Sequence, residues 1–222
     1  MKSLTSTEQK QLINTIKRTK DSERDLVIIE LLLNTGLRAS ELAGLAVGDV
    51  RGKLRLFVRP ELAKRKQRKT PDGKPRVNSR TVSLNVRIQD ILHMWLAHKM
   101  ANLHESIEDS APLFVTRLGG QLTKRSLQLI VEKWMVRSGL TTMKDGEVKA
   151  LFSTHSLRHT YAQKAADRNG TMKQMKALQK SLGHATIATV GVYFDAREQD
   201  MDDLAESVSM SPTRAKRLAD GL

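Results

Sequence analysis

Apolar residues recur at helical spacing from the start of the chain. Leu12, Ile13 and Ile16 follow Thr5-Ser6-Thr7-Glu8, where Thr5 and Glu8 are spaced as a capping box, and predict a helix to about residue 19. Asp21-Ser22 opens a second segment in which Leu26, Ile28, Ile29, Leu31, Leu32 and Leu33 make nearly every face apolar. Such a helix belongs in the centre of a core. It ends at Asn34-Thr35-Gly36, with Gly36 in the position that favours a left-handed cap. Arg38 follows at once, and Ala39-Ser40-Glu41-Leu42 begins a short helix. The period then changes to two. Residues 54–58 alternate apolar and basic and predict a strand, with 81–84 as its partner across a long link that holds a turn at 70–75. Asn85 is placed to cap a helix carrying Val86, Ile88, Ile91, Leu92, Trp95 and Leu96. Leu113-Phe114-Val115 predicts a short strand before Gly119-Gly120. Further helices are expected at about 123–138 (ending at Gly139), 155–168, 172–181 and 186–194, and a last short one after Ser211-Pro212. The fold class is therefore α+β, mainly α, with one small antiparallel sheet.

Composition narrows the setting. A chain of 222 residues with 39% apolar content can bury a core as one domain, or one domain with an appendage. No run approaches the roughly 18 apolar residues of a membrane span, and the N-terminus lacks the apolar stretch of a secretory signal. Without cysteine there is neither a disulfide framework nor a thiolate metal site, and a cytoplasmic protein is expected.

Charge changes the picture more. The formal net charge is +14 and the pI about 10.2, which calls for an anionic partner, nucleic acid first. Residues 51–80 carry 12 Lys/Arg against 2 Asp/Glu, whereas residues 1–50 are balanced at 7 against 7. Lys64, Arg65, Lys66, Arg68, Lys69 and Arg76 lie in that basic block. It is read as an arm tracking phosphates, against the alternative of a solvated basic loop. Lys124, Arg125 and Gln128, near the start of the 123–138 helix, suit entry into a DNA groove or equally an ordinary amphipathic surface.

Candidate chemistry concentrates between residues 155 and 193. His155 and Arg158, three apart, share a helical face and so set an imidazole beside a guanidinium. Arginine forks onto phosphate and histidine trades a proton near neutral pH, so the pair suits an anionic oxygen centre. A tyrosine, Tyr193, follows Leu182-Gly183-His184 by nine residues and offers a hydroxyl nucleophile toward phosphorus. His155 and His159 are spaced like a zinc helix, but Ser156 stands where that motif requires glutamate, and no metal is assigned.

Four segments together resemble the motif boxes of the tyrosine recombinases, the phage-integrase family. They are Thr35-Gly36-Leu37-Arg38-Ala39-Ser40-Glu41-Leu42, His155-Ser156-Leu157-Arg158-His159-Thr160, Leu182-Gly183-His184 with Tyr193, and Gly73-Lys74 ahead of Arg80-Thr81-Val82-Ser83-Leu84. The likeness spans about residues 26–195 and implies that family's catalytic fold. It implies that Tyr193 attacks a scissile phosphate, giving a 3′-phosphotyrosyl link and a free 5′-hydroxyl. Arg38 and Arg158 would clamp the non-bridging oxygens. Lys74 would protonate the leaving 5′-oxygen, with Lys64, Lys66 and Lys69 on the same hairpin as alternatives. His155 would assist proton transfer, His184 would hydrogen-bond a phosphate oxygen, and Glu41 would orient Arg38 or its neighbours. The chemistry calls for no cofactor.

The resemblance also sets expectations for organisation. Residues 1–196 would be the catalytic domain and 197–222 a tail docking on a neighbouring protomer, within a homotetramer on double-stranded DNA. The family usually places a core-binding domain ahead of the catalytic one, and with Arg38 so near the start there is no room for it. The chain is then either a catalytic fragment or a minimal recombinase, cytoplasmic and nucleoid-associated, of a mobile or chromosomal element. Two rivals stay open: a topoisomerase IB-like nicking and closing enzyme, and a DNA-binding regulator without catalysis.

Overall fold

A computed structural model describes residues 2–59, 79–167 and 172–183. Among the described residues the order is α1 (Ser6–Lys17), α2 (Glu23–Thr35), α3 (Ala39–Ala43), β1 (Arg55–Val58), β2 (Arg80–Ser83), α4 (Val86–Ala101), α5 (Lys124–Arg137), β3 (Thr141–Lys144), β4 (Glu147–Ala150), α6 (Thr154–Asp167) and α7 (Met172–Leu182). A 3-10 turn, Val47–Asp49, separates α3 from β1. No helix among them is long and apolar enough to cross a membrane.

The predicted caps form. Thr5 Oγ1 accepts from Glu8 N at 3.2 Å while Glu8 Oε2 accepts from Thr5 N at 2.7 Å, so two otherwise orphaned donors at the start of α1 are satisfied. Asn85 caps α4 as expected by accepting from the backbone three residues on, and Thr123, not foreseen as a cap, does the same for α5. Helix α2 is the central element: Val27 to Leu33 are buried, and α1, α3, α4 and α6 pack against it. Its continuous apolar surface explains this, since each face needs a neighbour. Gly36 ends it at φ 61°, the left-handed conformation expected there.

Strands β1 and β2 pair antiparallel, with Val58 opposite Arg80 and Leu56 opposite Val82. Alternation sends Leu56, Val58, Arg80 and Val82 inward. Two expectations are corrected. The described residues hold a second, separate two-stranded sheet, β3–β4. The run 113–115 is not a strand: Leu113 and Phe114 are buried, but the backbone there makes only isolated bridges, at Pro112 with Ala46 and at Val115 with Gln121. The expected helices at 186–194 and after Ser211, and the tail 197–222, lie outside the described residues.

One polar group inside the core ties α2 to α5. Asp25 is 3% exposed, and its Oδ2 accepts from Trp134 Nε1 at 2.8 Å and Lys133 Nζ at 2.5 Å. Burial alone pushes the carboxyl up, but the hydrogen bonds from Lys133 and Trp134 and the charge of Arg24 together outweigh it and hold the pKa below the usual value of 3.8. A carboxyl depressed on folding stabilises the native state fully above its unfolded pKa, and that contribution is lost as pH falls through the lower folded value. Asp25→Ala is expected to destabilise by about 1.5–3 kcal/mol at neutral pH, because buried Trp134 loses a charged acceptor. Urea unfolding at pH 7 and below pH 3 checks this. The difference between the two proteins should shrink at the acid end, and an equal difference at both would refute the assignment.

Candidate active site

Three helix starts converge on one cavity of about 290 Å³. Arg38, Ala39 and Ser40 line it from the start of α3, Lys124 and Gln128 from α5, and Thr154, His155 and Arg158 from α6. The first turns of α5 and α6 line this space and set the positive ends of their dipoles beside it, which favours an anion.

Each guanidinium is held by the fold around it. Arg38 is the N-cap of α3, and Glu41, fully buried, accepts from Arg38 N at 2.7 Å and from its Nη1 at 2.8 Å. The same carboxylate accepts from Arg80 Nη2 at 2.6 Å. Glu41 thus binds Arg38 twice and Arg80 once. Arg158 is 4% exposed, and it donates from Nη1 to the carbonyl of Gly36 and from Nη2 to that of Leu182. It therefore joins α6 to the ends of α2 and α7. Arg38 and Arg158, 120 positions apart in sequence, meet because Gly36 lies between them: its left-handed turn launches Arg38, and its carbonyl receives Arg158.

His155 is exposed on the cavity wall and meets His159 edge to face, with ring centroids 5.0 Å apart. Partial burial, then the neighbouring His155, the N-terminus and Arg158, push the His159 imidazole below its ordinary value. Lys124 and Arg125 are exposed at the start of α5, Lys124 on the cavity rim and Arg125 outside its lining. Among the described residues, no group of three or more acidic or histidine side chains is placed to hold a metal. Lys64, Arg65, Lys66, Arg68, Lys69, Lys74, Arg76, His184 and Tyr193 lie outside the described residues.

Sequence reasoning passed over Arg80 as a side chain, naming it only within the run Arg80-Thr81-Val82-Ser83-Leu84 and starting the strand at residue 81. The available signal was alternation: with Val82 inward, Arg80 two residues earlier must point inward too.

The model of the phage integrase family matches residues 2–200. This chain belongs to that family. Among curated members, the tyrosine recombinase XerC of Actinobacillus pleuropneumoniae serotype 7 (strain AP76) is 31% identical over 207 residues, covering 93% of this chain and 58% of the relative. XerC of Proteus mirabilis is 31% identical over 215 residues, covering 95% and 59%. The chain thus spans about three fifths of the length of these relatives. Solved structures show the shared integrase fold. The Tn1549 transposon integrase, in complex with transposon right end DNA, superposes with a TM-score of 0.69 at 20% identity, over 93% of this chain and 66% of that one. The catalytic domain of bacteriophage HP1 integrase gives a TM-score of 0.53 at 19% identity, over 96% of each chain.

Proposed function

We propose that this chain acts as the catalytic domain of a tyrosine site-specific recombinase, cutting and rejoining double-stranded DNA through a 3′-phosphotyrosyl intermediate. The observation that carries the reading is the convergence of Arg38, Arg158 and His155 on one cavity, in a chain whose membership of the family is established. Two fixed guanidiniums beside an imidazole suit a phosphodiester, whose non-bridging oxygens gather charge as phosphorus becomes five-coordinate. Tyr193 Oη attacks phosphorus, the P–O5′ bond breaks, and the 5′-oxygen takes a proton from Lys74. His155 accepts the proton of the tyrosine, and His184 donates to a phosphate oxygen. Glu41 holds Arg38 in place. The reverse attack by a 5′-hydroxyl reseals the strand, and no nucleotide is consumed because the phosphotyrosyl bond keeps the energy of the broken one.

Further parts of the reading rest on family membership and charge. Lys64, Arg65, Lys66, Arg68, Lys69 and Arg76 contact the DNA backbone, which positions the duplex without reading it, and Lys124 and Arg125 bring the start of α5 into a groove. Residues 1–196 form the catalytic unit, and 197–222 dock on a neighbouring protomer in a tetramer assembled on DNA. The protein works in the cytoplasm at the nucleoid.

A covalent trap tests the central claim. The full chain and Tyr193→Phe are incubated with a pool of nicked suicide duplexes bearing randomised arms, and adducts are separated under denaturing conditions. The expected result is an adduct that Tyr193→Phe does not form. Salt-sensitive binding with no adduct on any duplex would refute the recombinase in favour of the regulator. An adduct with supercoil relaxation but no exchange between two copies of a trapped site would favour the topoisomerase.

A further inference from the structure

Arg80 is placed where an apolar residue would serve packing better. It faces inward from β2, 6% exposed, between the inward-facing Val58 opposite and Val82 on its own strand. Its Nη2 bonds Glu41, yet its Nε and Nη1 are buried with no hydrogen-bond partner. Leaving such donors unpaired is unfavourable, and a buried guanidinium that keeps them so calls for an explanation beyond filling space. Burial, chiefly, and the charge of Arg38 lower its pKa, while Glu41 and Tyr161 support the charged form.

The surroundings supply that explanation. Glu41 is fully buried, with Oε1 on Arg38 Nη1 and Oε2 on Arg80 Nη2. Gly183 closes the cluster: a Cβ there would lie 3.0 Å from Arg80 Cδ, 3.3 Å from its Nε and 3.7 Å from Arg38 Nη1. A carboxylate with both oxygens available draws an arginine into a two-point fork. Arg80 Nη2 and the Arg38 backbone N–H share Oε2, so the Arg38 side chain keeps a single bond to Glu41, through Oε1.

We infer that Arg80 is a positioning residue for Arg38: by occupying Glu41 Oε2 and offsetting its charge, it limits the hold of Glu41 on Arg38. Arg38 then presents its guanidinium to the scissile phosphodiester. The inference rests on the recombinase reading proposed above. A purely structural Arg80 would instead fasten β2 to α3 and affect stability alone.

The test uses the full chain on a duplex trapped by the wild-type protein, at saturating DNA and well below the melting temperature of each variant. Arg80→Met is expected to slow adduct formation about 10–100-fold, in the range seen when a reacting group is misplaced by about an ångström. Adding Glu41→Gln should recover about tenfold of that loss, because a neutral amide no longer captures Arg38 and the buried charges are removed together. On the same duplex with a methylphosphonate at the scissile position, which carries no charge for Arg38 to meet, the Arg80→Met defect should shrink by about tenfold. Cleavage by folded Arg80→Met within about threefold of wild type overturns the inference, as does a defect unchanged by both Glu41→Gln and the methylphosphonate. If Arg80→Met does not fold, Arg80→Lys carries the test. It keeps the charge but offers a point contact, so about 3–10-fold slower cleavage is expected and a wild-type rate overturns the idea. A wild-type chain that traps no duplex overturns the recombinase reading, and this inference falls with it; a trapping wild type beside a normal Arg80→Met overturns the inference alone.

Discussion

Arg158→Ala is expected to slow cleavage by about 10²–10³-fold and to weaken the fold at the same time. The side chain is 4% exposed and donates to two carbonyls, those of Gly36 and Leu182. Truncation leaves both acceptors without their charged donor and opens a space among the ends of α2, α6 and α7. Hydrogen bonds to a charged group contribute about 1.5–3 kcal/mol each, so a loss of about 3 kcal/mol or more is expected. Catalysis loses more. Removing one donor from a site that stabilises developing negative charge typically slows the chemical step by about 10²–10³-fold. Arg158→Lys separates the two effects. A lysine keeps the charge and can satisfy one carbonyl, restoring part of the stability, but it cannot bridge both and still face a phosphate. Its thermal midpoint should therefore lie between those of wild type and alanine, with adduct formation still slowed at least tenfold. If Arg158→Ala unfolds like wild type, or traps DNA within about tenfold of its rate, the placement of Arg158 at the junction of structure and chemistry is wrong.

Which parts of this arrangement could be read from the chain depends on how far each signal reaches. The capping box at Thr5 and Glu8, the cap at Asn85 and the left-handed Gly36 are local, and each stands in the structure as its residues predict. The β3–β4 hairpin escaped because its strands are largely exposed and lack the alternation that marks a half-buried strand. Its signal was in the turn, where Asp145 and Gly146 both adopt positive φ, the geometry that Asp-Gly favours between paired strands. The run 113–115 misled in the opposite way. Leu113 and Phe114 are buried, but burial does not by itself pair a backbone. Arg38 and Arg158 carried no mutual signal in periodicity or spacing, and only the family resemblance linked them. The structure adds the physical link, a shared dependence on Gly36 and on the end of α7. Glu41 was expected to orient Arg38 or its neighbours, and it contacts both Arg38 and Arg80.

Gly36→Ala should be among the most damaging small substitutions in this chain. At φ +61° any residue with a Cβ is strained, by about 1–2 kcal/mol. A Cβ would also lie 2.4 Å from Cδ1 and 2.9 Å from Cε1 of Tyr161, and 3.0 Å from Cδ2 of Leu182. The ring cannot yield cheaply, because it packs with Ala162, Leu178 and Leu182 in the small cluster between α6 and α7. Overpacking of this kind adds about 1–3 kcal/mol. Together these lower the melting temperature by roughly 5–15 °C, given about 2–4 °C per kcal/mol at this chain length. The displaced backbone also carries the acceptor for Arg158 and the approach to Arg38, so adduct formation should fall by about 10²-fold even where the protein is folded. A double-mutant cycle with Tyr161→Ala separates strain from crowding. Removing the ring should relieve the crowding, giving a coupling of about 1–3 kcal/mol, while the left-handed penalty persists. Simple additivity of the two substitutions would mean that the ring does not press on this turn. The tight packing of Gly36 would then be no part of how the two arginines are brought together.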